Sequence, residues 1–222
     1  MQIIKNDILN RNRAFTLAEV LVTLVVIGVI AAMTIPVIIQ YIDDAQFKAG
    51  WKKVYSQLAQ ATSAMVMDNS GSLVNSCTSD YENCLNNMYT ARFKTSKICT
   101  NGSLSGNCWH NSGSWYQLSG EGISWGNTAG FIDNAGVLYR VEAAGFPLCD
   151  NSSWVSSIPK CAFINVDVNG FKKPNTIGRD IFLAIVTENR ILPVGTADDS
   201  AHSNDCQKGQ NGWGCSAKFL SD

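Results

Sequence analysis

Residues 11–42 read RNRAFTLAEVLVTLVVIGVIAAMTIPVIIQYI, and the rest of the chain is read outward from this stretch. Behind the basic leader end Arg11-Asn12-Arg13-Ala14, Phe15 opens a run in which almost every residue to Ile42 is apolar. The hydrocarbon core of a bilayer takes about 20 apolar residues in a helix, so the run is long enough to span one. Glu19 does not belong in it. A carboxylate at mid-depth in a membrane costs about 2.5–3.5 kcal/mol, and an ionisable group kept there marks a functional site. Lys5, Arg11 and Arg13 precede the run while Asp43 and Asp44 follow it. That asymmetry leaves the amino terminus on the cytoplasmic side.

The segment Ala14-Phe15-Thr16-Leu17-Ala18-Glu19-Val20, between a short basic leader and a long apolar helix, resembles the processing and methylation motif of type IV prepilins and type II secretion pseudopilins. The resemblance implies a cut between Ala14 and Phe15 by a membrane prepilin peptidase that also methylates the new amino terminus. It implies that Glu19, fifth residue of the product, directs assembly, and that Gly28 and Pro36 stand where the family loosens or kinks its helix. Ala14 stands where the family usually has Gly, and Ala18 where it usually has a large aliphatic residue. The partners implied are other pilin or pseudopilin subunits, the peptidase, an inner-membrane assembly platform and membrane lipid. The location implied is a single pass of the bacterial inner membrane, with the carboxy-terminal part periplasmic or extracellular and a filament after assembly.

The chemistry of the motif follows from elementary electrostatics. A cut before Phe15 exposes an α-amine that carries charge at neutral pH. A carboxylate in low dielectric is tolerated when a cation partners it, so the Phe15 amine of a neighbouring copy is a partner for Glu19. Two plainer readings stand beside this one. A signal anchor would let Glu19 reach the cytoplasmic interface, and a cleaved secretory signal would have an apolar core of about 7–15 residues, far shorter than this run.

The chain has 222 residues and a formal net charge of −1. The leader holds Lys5, Arg11 and Arg13 against Asp7, so the remainder carries 14 Lys+Arg and 17 Asp+Glu, a net −3. That balance, with no Lys/Arg run interleaved with aromatics, gives no footprint for nucleic acid. The expected organisation is a leader over 1–14, a transmembrane and assembly helix over 15–42, and an extracytoplasmic globular domain over 43–222 whose first part, 43–68, continues the helix.

All eight cysteines lie beyond Asp68. An even number confined to the exported part points to disulfides in an oxidising compartment. Pairing sequence neighbours gives Cys77-Cys84, Cys99-Cys108, Cys149-Cys161 and Cys206-Cys215, although 105 connectivities are formally open. Zinc is the rival, against which stand the absence of any C-x-x-C pair and the presence of only two histidines, His110 and His202.

After Pro36 the apolar pattern turns periodic. Pro36 cannot donate to the carbonyl of Ala32 and should kink the helix. Phe47, Trp51, Val54, Leu58, Ala61 and Met65 then recur at spacings of three and four, so one helix is expected from Phe15 to about Asp68, stopped by Asn69-Ser70-Gly71. Residues 70–120 read as loop-rich, with a short helix near Tyr81–Phe93 and Trp109 and Trp115 as anchors. Strands follow: a hairpin of 130–133 and 137–142 about Asn134-Ala135-Gly136, a strand over 162–168, and a second hairpin of 181–187 and 190–194 in which Pro193 marks an edge. The fold class is α+β: a pilin-like fold with a long amino-terminal helix on an antiparallel sheet and disulfide-stapled loops. Trp51, Trp115, Trp125 and Trp154 read as core or subunit-contact residues, and Tyr116 and Tyr139 as surface contacts.

Two further motifs carry chemistry. Asp167, Asn169, Asn175 and Asp180 place oxygen donors in one Gly-containing loop, DVNGFKKPNTIGRD. Calcium is one reading of that donor set, and some pseudopilins bind calcium in a carboxy-terminal loop. A hydrogen-bonded structural loop is the other, since Asn-Gly and Pro-Asn are turn dipeptides and Lys172, Lys173 and Arg179 repel a cation. No other cofactor is implied. Gly122-Ile123-Ser124-Trp125-Gly126 matches the G-x-S-x-G nucleophile pattern, which has meaning only on a strand-to-helix turn with an acid and a His to follow. No catalytic residue is assigned. The sequence therefore reads as a structural subunit of a type II pseudopilus or type IV pilus, with a minor tip pilin acting as a binding module, or a plain anchored disulfide-rich domain, as alternatives.

Overall fold

The computed structural model describes residues 15–124, 126, 128–150, 158–199 and 201–221. The leader with Ala14 and the cut boundary, together with Trp125 and Trp154, lie outside the described residues. The chain divides into an amino-terminal unit ending at Asp43 and a carboxy-terminal unit from Asp44 to Asp222.

Helix α1, Leu17–Asp68, is continuous through Gly28 and Pro36. In the amino-terminal unit it is helical without any core of its own: from Phe15 to Ile42 every residue is exposed except the half-buried Ala31. The helix is long and apolar enough to cross a membrane. Two of its hydroxyls there are satisfied locally, Thr23 Oγ1 donating to the Val20 carbonyl at 2.9 Å and Thr34 Oγ1 to that of Ile30 at 3.0 Å. A hydroxyl in an apolar run has no water to bond, and the preceding turn supplies the acceptor.

In the carboxy-terminal unit the same helix acquires a buried stripe of Phe47, Trp51, Val54, Leu58, Ala61, Thr62 and Met65, the three-and-four spacing of one helix face. The helix ends as a Schellman motif. Ser70 takes the left-handed position at φ 59°, and the Gly71 amide donates to the Val66 carbonyl at 2.8 Å.

A six-stranded antiparallel sheet runs in chain order: β1 Thr95–Cys99, β2 Ala129–Asp133, β3 Leu138–Glu142, β4 Ala162–Asp167, β5 Ile181–Val186 and β6 Ile191–Pro193. Its inner face meets α1 and a short helix α2, Tyr81–Thr90. There Trp51 stacks on Phe182, with ring centroids 5.1 Å apart, and Phe131 on Tyr139 at 4.3 Å. Gly50 lets helix and sheet approach closely, since a methyl group on it would lie 3.3 Å from Val168 Cβ. The outer face carries a second core, formed by Leu138, Phe163, Leu183 and Ile185 under Trp109, Trp115, Ile123 and Trp213 of the loops. Four disulfides staple the carboxy-terminal unit: Cys77-Cys84, Cys99-Cys108, Cys149-Cys161 and Cys206-Cys215. Each closes a short loop, worth about 2–3 kcal/mol on the loop-closure account.

Three departures from the sequence reading have physical causes. Tyr139 is buried, not a surface contact, because it lies on the inner face of β3 and bonds Asp133 Oδ2 at 3.2 Å. Edge strand β1 has three exposed residues, Ser96, Lys97 and Ile98, so it shows no apolar alternation. Helix α3, Cys215–Ser221, sits in a Gly- and Asn-rich tail and is held from outside itself. Ser216 Oγ accepts from the Leu183 amide at 2.8 Å, and its carbonyl accepts from Trp51 Nε1 at 2.8 Å.

Candidate functional site

The first candidate is the start of α1. Thr16 precedes the first helical residue and Glu19 is the third inside it, an arrangement that forms a reciprocal capping box. Glu19 Oε2 accepts from the Thr16 amide at 2.9 Å and from Thr16 Oγ1 at 3.0 Å, while the Glu19 amide donates to Thr16 Oγ1 at 3.2 Å. The carboxylate is thereby tied back to Thr16, the residue that follows Phe15 in sequence. Phe15 itself is 84 % exposed. Sequence reasoning weighed Glu19 by its charge alone, although Thr16-x-x-Glu19 is a readable capping signal. Both hydrogen bonds from Thr16 go to the same carboxylate oxygen, Oε2, so one oxygen fixes the cap. Gly28 and Pro36 both lie in exposed helix.

A family model described as the prokaryotic N-terminal methylation motif matches residues 9–35. The chain carries this type IV pilin and pseudopilin signature. The matched segment takes in Ala14, Phe15, Glu19 and Gly28, and it ends one residue before Pro36. In general terms the motif implies a prepilin peptidase and other pilin subunits as partners. No curated protein and no solved structure matches the chain.

The second candidate is the loop from β4 to β5. Asp167 ends β4 and is fully buried; its Oδ1 accepts from the Asn169 amide at 3.0 Å and its Oδ2 shares a 2.7 Å hydrogen bond with His110 Nε2. Asp180, also fully buried, accepts from the Asn175 amide at 2.8 Å and the Thr176 amide at 2.6 Å. Burial, with the Asp180 charge adding to it, pushes the Asp167 carboxyl well above the usual carboxylate range. Burial raises Asp180 too, against the pull of the Thr176 and Asn175 amides. Burial holds the His110 imidazole below its usual value.

The Asn169 and Asn175 amide nitrogens donate to the carbonyls of Lys173 and Ser114. Among the described residues their Oδ1 atoms are buried without a partner. One short loop thus collects two buried carboxylates and two orphaned amide oxygens, hard donors of the type calcium takes. Among the described residues no group of three His, Cys, Asp or Glu side chains is placed to hold a metal, so a cation here would depend on the asparagines.

The G-x-S-x-G segment has a different setting from the one its pattern requires. Ser124 itself lies outside any helix or strand. His202, remote in sequence, lines the same hollow of about 420 Å³, and its Nδ1 bonds Asp199 at 3.0 Å. Arg140, 2 % exposed, fills the floor, bonded to Glu142 at 2.7 Å and Asn165 at 3.3 Å. The next described element is strand β2, which begins at Ala129, where the nucleophile elbow needs a helix.

Proposed function

We propose that the chain is the precursor of a filament subunit, of a type IV pilus or a type II secretion pseudopilus, cut before Phe15, methylated there, and assembled through its apolar helix. The observation that carries this reading is the coincidence of the methylation motif with an exposed apolar helix segment whose one carboxylate is Glu19. Within one copy Glu19 Oε2 is committed to Thr16. Its second oxygen then accepts the Phe15 amine of the next copy, and the pair sets the axial register. Before assembly the segment from Phe15 to Ile42 sits in the inner membrane, the amino terminus cytoplasmic and the disulfide-bearing unit outside. Sheared surface filaments or purified pseudopili from the native host should contain the chain at stoichiometric amounts. A trace amount would instead favour a minor tip subunit, and complete absence from any filament would refute the reading.

We further propose calcium as a ligand of the loop of Asp167, Asn169, Asn175 and Asp180, on the ground of its hard oxygen donors. The ion would supply countercharge to two buried carboxylates and tie the end of β4 to the start of β5. Calorimetric titration of the full chain in detergent should show heat on adding calcium and a raised melting temperature, both weakened by Asn175→Ala. No heat and no shift would end the calcium assignment.

A further inference from the structure

The carboxy-terminal unit carries a charged hollow close in sequence to the end of the apolar run. Its volume is about 280 Å³, and its wall includes Asp44, Lys48, Arg179, Lys208 and Lys218, with the Phe219 ring between them. Four cations thus face one anion, in a chain whose overall charge is negative. Asp44 is already taken: Arg179 Nε donates to its Oδ1 at 2.7 Å. Lys48 Nζ lies 4.3 Å from the centre of the Phe219 ring. Lys208 and Lys218 are exposed. The disulfide Cys206-Cys215, two of whose neighbours are those lysines, holds both on one rigid loop and helix.

Position selects the partner. Asp44 and Lys48 follow Ile42, the last residue of the apolar run, by two and six residues in an unbroken helix. Headgroups extend several ångströms beyond the hydrocarbon on each side. Basic groups just outside a span attract anionic lipid, an attraction that fades within a Debye length.

We infer that this hollow, formed by Lys48, Arg179, Lys208 and Lys218, is a docking surface for the phosphate headgroups of anionic phospholipid, which holds the carboxy-terminal unit against the bilayer before the subunit is extracted. The inference rests on the membrane-anchored reading of residues 15–42. Docking gives the pool of unassembled subunits one orientation, and extraction into a filament must break it.

The test uses the full chain in lipid nanodiscs, one set of phosphatidylcholine alone and one containing phosphatidylglycerol, read by hydrogen exchange and mass spectrometry. Protection of amides 17–42 in both sets verifies insertion; its absence refutes the anchored reading and not the docking surface. With insertion verified, amides in 176–180, 206–209 and 215–219 should exchange about fivefold more slowly in the anionic discs. Lys208→Gln with Lys218→Gln, both at exposed positions, should abolish the difference, as should salt at about 0.5 M. Equal exchange in the two sets would overturn the inference. So would equal slowing by free inorganic phosphate in phosphatidylcholine discs, which would identify a soluble anion site, or slowing that depends only on the number of copies per disc, which would identify a subunit contact.

Discussion

Glu19 has two separable roles, and three substitutions tell them apart. Within one copy its carboxylate closes the capping box through contacts of 2.9, 3.0 and 3.2 Å with Thr16. Losing such a cap costs about 1 kcal/mol of local helix stability. In the proposed filament the carboxylate of one copy faces a charged amine of the next in low dielectric, where removing one member of a buried pair costs about 3–5 kcal/mol. Glu19→Gln keeps a side chain able to cap while losing the charge. Thr16→Val keeps the charge while losing the cap, and Glu19→Val loses both. Assembly, measured as the pelletable filament fraction at equal membrane content, should fall by about 150-fold or more in Glu19→Gln, the fold-change equivalent of 3 kcal/mol. Thr16→Val should lose no more than about fivefold, and Glu19→Val should resemble Glu19→Gln. Membrane insertion should be unchanged throughout. Filament yields from Glu19→Gln that match the parent would refute the pairing, and would leave Glu19 as a helix cap only.

Two further expectations concern the globular unit. Ser70 holds the left-handed position of the α1 terminus at φ 59°, a conformation that costs a residue with a Cβ about 1–2 kcal/mol and glycine little. Ser70→Gly should therefore raise stability by about 0.5–1 kcal/mol in denaturant titration despite adding a flexible residue, and a loss of stability would contradict the assignment. Tyr89 and Tyr139 have phenols pushed above their usual range, chiefly by burial, with Asp133 adding to the effect at Tyr139. A folded-state value above the unfolded one means that the unfolded chain releases its protons first. Stability should thus hold below about pH 10 and decline above it, and ultraviolet titration should show these two phenols ionising only with loss of the near-ultraviolet dichroism.

Much of the fold was legible because its signals are local. The change at Pro36 from continuous to periodic apolar residues separates the exposed part of α1 from the part that packs on the sheet. Short apolar and β-branched runs bounded by turn residues reveal β2 to β5, and the partial alternation in β4 puts Ile164 and Val166 on the face opposite Phe163. What stayed hidden depends on long-range contacts. Edge strand β1 is defined by backbone pairing with β2, not by its own side chains. Helix α3 is too short to stand by propensity and depends on Cys206-Cys215 and on Trp51, 165 residues away from Ser216 in sequence. His110 against Asp167 and His202 beside Ser124 are likewise brought together only by the folding of loops over the outer face. The motif at the start of the chain carries its chemistry in consecutive residues, which is why it was readable first.

The central claim is that proteolysis before Phe15 creates the charged end that Glu19 meets in the next copy. Intact-mass and fragment analysis of the protein isolated from its native membrane tests it most directly. The account predicts a chain that begins at Phe15 and carries one methyl group on its amine. A chain that still bears residues 1–14 and lacks the methyl group would contradict it.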